Sequence, residues 1–255
     1  MTFQIRTRFI ASTVLLLGVL VSQALHIDSP AARTTQDPSP AKRNDRPQEP
    51  SASPSPVPSD NKKPLDGTRY SYEFRQPDFF INHIVIEHDA IGRGKISFER
   101  KGEETPIVEP VELSTGALGR VMGLWSALRF LDSNENYQSP KQFPHLGVYH
   151  LKMDDGQRNR TAEFNWSNHK DAWALINEYR RLAEQSIFVF DIKLAREMQP
   201  LNAPKLMEHL ENLIRRGELS DAQQLVPLLT ELRTDEHIPL IARNHAGRLL
   251  KQIEK

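Results

Sequence analysis

The chain contains no cysteine among its 255 residues. That absence excludes disulfide staples, thiolate zinc sites, cysteine nucleophiles and lipid attachment at a lipobox. Neither sign of charge predominates, since 33 lysines and arginines balance 33 aspartates and glutamates. No field for nucleic acid or for a strongly acidic substrate is therefore implied. Catalytic signatures are missing as well: the chain has no His-Glu-x-x-His, no Gly-x-Ser-x-Gly elbow and no calcium loop of alternating oxygens. No cofactor is implied.

What is present begins with Arg6 and Arg8, followed by an apolar run from Phe9 to Leu25. The run is at the short end of the roughly 17 to 25 residues that span a bilayer, so residues 1–27 read as a signal anchor or a signal peptide. In the second case Ser22-Gln23-Ala24 supplies small residues for cleavage after Ala24. Either way, basic residues on the cytoplasmic side place everything after Leu25 outside the cytoplasm, secreted or periplasmic if cleaved. Residues 28–65 carry Pro30, Pro38, Pro40, Pro47, Pro50, Pro54, Pro56, Pro58 and Pro64 among Ser, Asp, Lys and Arg. With nothing to bury, this stretch is expected to be a disordered tether, on the order of 110 Å long if fully extended as polyproline II.

Residues 66–199 read as an α+β domain. Tyr70 to Phe74, Phe79 to His88 and Lys95 to Arg100 have strand character, with glycines at 92 and 94 turning the last two into a hairpin. Ile107 to Leu113, flanked and interrupted by Pro106 and Pro110, reads as an edge strand. Ser114 is placed to cap a helix from Thr115 to about Leu131. Gly119 and Gly123 share one face of it, which predicts a close approach of that helix to a neighbour. A second hairpin, Leu146 to Met153 and Arg158 to Trp166, surrounds Asp155-Gly156, and a second helix follows from Ser167 or Asn168 to about Gln185. Antiparallel hairpins with both helices on one face make a two-layer sandwich.

Residues 200–255 are helical throughout, as a hairpin or short repeat extension: one helix opens at Pro204 and stops at Gly217, and two more run from Asp221 to Leu232 and Ile238 to Ile253. In the last pair, Leu225-Val226-Pro227-Leu228-Leu229, Leu232, Asp235, Ile238, Ala242-Arg243, Ala246 and Leu249-Leu250 resemble a single HEAT repeat. The resemblance covers about residues 225–253. It implies a proline-bent first helix, an aspartate in the turn and a surface that binds other proteins.

Two functional readings follow. The first is a non-catalytic binding or scaffold module, tethered at the membrane by its N-terminal segment and holding a protein partner in the cell envelope. The long polar loop from Asp132 to His145 is its first candidate contact, through Tyr137, Phe143 and His145. The alternative is an envelope hydrolase, with or without a metal's assistance. His83, Glu87 and Asp89 share strand parity and would be its ligands and carboxylate partner, with His145 or His150 arriving from the second hairpin.

Overall fold

Tyr70, Tyr72 and Phe74 alternate with Ser71 and Glu73, and this period of two makes their segment a strand with one apolar face. The computed structural model describes residues 67–255; the leader (1–27) and tether (28–65) lie outside the described residues. β1 (Arg69–Arg75) is flanked on one side by β2 (Ile81–Asp89), β3 (Arg93–Arg100) and β4 (Ile107–Glu112), and on the other by β5 (Val148–Asp154) and β6 (Asn159–Phe164). The six-stranded sheet runs β4-β3-β2-β1-β5-β6, antiparallel throughout. β4, interrupted by Pro110 and preceded by Pro106, is an edge strand, as expected from its sequence. The fold is α+β: the helical layer covers one face of the sheet, and the other face carries most of the polar strand positions, among them Glu73, His83, Lys95 and His150.

α1 (Thr115–Ala127) is capped by Ser114, whose Oγ accepts from the Ala117 N–H at 3.2 Å. It ends four residues before the expected Leu131 because Arg129 adopts a left-handed conformation, φ 43°, that turns the chain. The expected close approach at Gly119 and Gly123 is not found. Both lie on the solvent side, with nothing within 4 Å of where a Cβ would stand, while Ala117, Val121 and Trp125 face the core.

α2 (Lys170–Met198) corrects the expectation most. It is capped by His169, whose Nδ1 accepts from the Ala172 N–H, and it continues past Gln185 to Met198. Phe188 to Phe190, which look like strand residues, lie inside it. No glycine or proline interrupts the segment before Pro200, and its apolar stripe simply changes partner. Its 29 residues span about 43 Å at 1.5 Å per residue, against about 23 Å for β1. The first half packs on the sheet through Ala172, Ile176 and Tyr179. The overhanging half contributes Phe188 and Ile192 to a second core, shared with α3 (Ala203–Arg216), α4 (Val226–Thr234) and α5 (Leu240–Ile253).

The expected helix from Asp221 divides into a 3₁₀ turn, Ala222–Leu225, and α4. Pro227 falls in the first turn of α4, where its missing N–H has no intrahelical acceptor in any case. Asp235, in the turn before α5, pairs with Arg196 of α2 at 2.7 Å. Arg120 of α1 ties the two cores together, donating to the buried Glu178 at 3.0 Å and to the Ser220 carbonyl at 2.6 Å.

The connection from α1 to β5 is tied to the β6 segment by Arg158, which pairs with Asp132 at 2.7 Å, by hydrogen bonds between Gln138 and Asn165, and by Arg160. Arg160 lies over the rings of Phe130 (4.5 Å) and Tyr137 (5.1 Å) and donates to the carbonyls of Phe130 and Glu135. Arg160→Ala is expected to destabilise the fold by about 2 kcal/mol and to expose residues 132–143 to protease. Urea denaturation and limited proteolysis read the two effects separately.

Candidate functional site

The helical layer leaves part of the sheet uncovered. α1 covers the end around Tyr70 and His88, and Tyr179 of α2 stacks on Tyr72 in the middle with ring centroids 5.1 Å apart. At the other end Phe74, Ile84 and Tyr149 face a cleft of about 570 Å³. Its far wall is one flank of α2, Trp173, Arg180, Ala183, Glu184 and Ile187, and its ends are closed by Phe79 and Phe80 from the β1–β2 turn and by Leu146 and Trp166. Trp166 and Trp173 stand 4.6 Å apart between ring centroids. Phe79 and Phe80 remain 45% and 65% exposed at the rim. The volume and the apolar, aromatic walls are those of a site for a small organic molecule.

Four ionisable groups interrupt the apolar lining, Tyr72, Tyr149, Arg180 and Glu184, and burial raises the Glu184 carboxyl against the smaller pull of His209 and Arg180. Neither Tyr72 nor Tyr149 has a hydrogen-bond partner for its hydroxyl among the described residues, though they are only 1% and 4% exposed. Arg180 likewise has no ion-pair or hydrogen-bond partner among the described residues. Burial pushes both phenols upward, against the smaller downward pull of Arg180.

The residues singled out from sequence are distributed differently. His83 stands on the open sheet face, its Nε2 2.9 Å from Glu73 and its Nδ1 2.8 Å from Glu99. His150 approaches the same Glu73 at 3.5 Å and Glu163 at 3.1 Å. Burial would raise the Glu73 carboxyl, but hydrogen bonds from Arg75 and His83 outweigh it and hold it below its ordinary value. Glu87 pairs instead with Lys95 at 3.1 Å, and Asp89 accepts from the N–H groups of Ile91 and Arg93 in its own turn. Among the described residues no group of three or more such side chains is placed to hold a metal ion.

Tyr137 is a core residue, 2% exposed between Phe130 and Phe164. Phe143 and His145 lie at the surface, and Phe143 packs on Trp166 of the cleft wall at 5.3 Å. His145 contributes its carbonyl as an acceptor for Gln76. The cleft itself left no mark in the sequence analysis. Its lining residues obey ordinary core alternation, and only the adjacent Phe79 and Phe80 at a turn signal apolar surface left over.

His88, on the helix-covered face, belongs to a buried polar network. Its Nδ1–H donates to the Asp89 carbonyl at 2.7 Å, so Nε2 is the acceptor of the Tyr179 hydroxyl at 2.8 Å. That hydroxyl in turn accepts from the Trp125 indole at 2.9 Å. Every polar atom is matched, and burial lowers the affinity of His88 for a second proton. The network is structural.

No protein-family model matches the chain, and no curated protein matches it.

Proposed function

We propose that the chain is a non-catalytic binding module, held outside the cytoplasmic membrane by its N-terminal segment, and that the aromatic cleft between sheet and α2 is its binding site. The observation that carries the reading is a cleft of about 570 Å³ walled mainly by aromatic and aliphatic side chains. The leader and tether read from sequence support the location. Phe143 and His145 stand beside the cleft wall, so a protein partner in the envelope would meet the module at the rim of the occupied site.

Titration of the full chain with the neutral fluorophore N-phenyl-1-naphthylamine tests the site. Saturable binding of one probe per chain is expected, with quenching of Trp166 and Trp173. Ala183→Trp, which projects an indole into the cleft from the middle of α2, is expected to weaken the probe by about tenfold or more, 1.4 kcal/mol per decade. Absence of saturable binding would remove the cleft from consideration.

A further inference from the structure

The polar groups of the cleft are unequal in kind. Tyr72 and Tyr149, with ring centroids 6.2 Å apart, both line the cleft, and neither hydroxyl makes a hydrogen bond among the described residues. Both phenols stay protonated across the physiological range because burial raises them, so both remain available as donors. Arg180 adds a guanidinium at the mouth, and its neighbour Arg181 is by contrast committed to Glu178 at 2.6 Å. An arginine fork with two hydroxyl donors matches the acceptor geometry of an oxyacid. Glu184, one helical turn beyond Arg180 on the same wall, limits the negative charge that the site accepts.

We infer that the cleft takes a single-chain amphiphile with a monoanionic carboxylate head, its hydrocarbon tail between the sheet and α2 and its head against Arg180, Tyr72 and Tyr149. This rests on the cleft being the binding site. The aromatic walls supply apolar burial along the tail, which is insensitive to the head. Arg180 and the phenols supply the discrimination.

The test compares ligands that share one tail. Dodecanoate, dodecanol, dodecyltrimethylammonium and dodecyl phosphate, each below its micelle concentration, displace the naphthylamine probe from the full chain. Dodecanoate is expected to bind at least about tenfold more tightly than the alcohol or the ammonium compound. Arg180→Gln, at an exposed position where folding is not at risk, is expected to abolish that preference and leave dodecanol unchanged. Tyr72→Phe with Tyr149→Phe is expected to reduce dodecanoate binding selectively. Equal affinity for carboxylate, alcohol and ammonium, or an Arg180→Gln loss shared by all of them, would overturn the anionic head while the cleft reading stands. Tighter binding of dodecyl phosphate than of dodecanoate would overturn the monoanion. Failure of every chain to displace or bind would sink the cleft reading itself.

Discussion

Alanine at Gly94 is expected to destabilise the protein by about 3 to 5 kcal/mol, against a total of about 5 to 15 kcal/mol for a domain of this kind. A Cβ at this position would stand 1.8 Å from the carbonyl oxygen of Glu87 and 2.7 Å from the Cα of His88. Both are backbone atoms of the adjacent strand, so no rotamer change relieves the overlap, and β3 must move away from β2 at the start of the hairpin. Gly94 is paired in register with His88, so the displacement reaches the buried network that joins the sheet to α1 and α2. Gly119→Ala and Gly123→Ala are the internal control. Those positions are helical, with open space where the methyl would go, and each substitution is expected to stabilise by about 0.5 to 1 kcal/mol. Urea denaturation of the three variants measures both signs, and a Gly94→Ala protein as stable as the parent would mean that the β2–β3 register is wrong.

Tyr179→Phe is expected to be nearly as damaging, by about 2 to 4 kcal/mol. The hydroxyl lost is the one that donates to His88 Nε2 and accepts from the Trp125 indole. Its removal strands a buried acceptor and a buried donor at once, while the ring stack on Tyr72 is kept. The same network gives a pH signature. Burial is the main reason that folded His88 takes up a proton less readily than its ordinary value, with the Asp89 carbonyl and charge opposing it. Above about pH 6.5, the unfolded value, His88 is neutral in both states and its contribution is complete. As pH falls below that value the unfolded chain binds a proton that the folded chain resists, so stability declines until the lower folded value is reached. The urea midpoint of the parent is expected to drop between pH 7.5 and 5.5, and His88→Gln, which has no titrating ring, is expected to drop less. Equal slopes would show that His88 is not held neutral.

How much of this was legible depends on the distance over which each feature is determined. The strands around Tyr72, Ile96 and Leu151 show in a two-residue period, the second hairpin in Asp155-Gly156, and the cap of α1 in Ser114, because these preferences act within a few residues of chain. The length of α2 was not legible in this way. Phe188 to Phe190 have strand propensity, and in the helix Phe188 and Val189 pack into the second core while Phe190 packs on Phe98 of the sheet. Gly119 and Gly123 misled for a related reason. Spacing places two glycines on one helix face but does not say whether that face meets a neighbour or water.

The histidines show the division most clearly. Strand parity puts His83 and His88 on opposite faces, but it does not say that His83 will find Glu73 and Glu99 while His88 finds Tyr179, some 90 residues along the chain. The sequence by itself determined most of the strands, the two hairpins, the α+β class and the expectation of an exported, tethered chain, since each follows from local pattern or composition. Only the tertiary structure decided that α2 spans two cores, and that the sheet end beyond α2 meets a cleft lined by Phe74, Tyr149 and Trp173. A cleft is a place where distant elements fail to fill the space between them, and no local pattern records a contact that is not made.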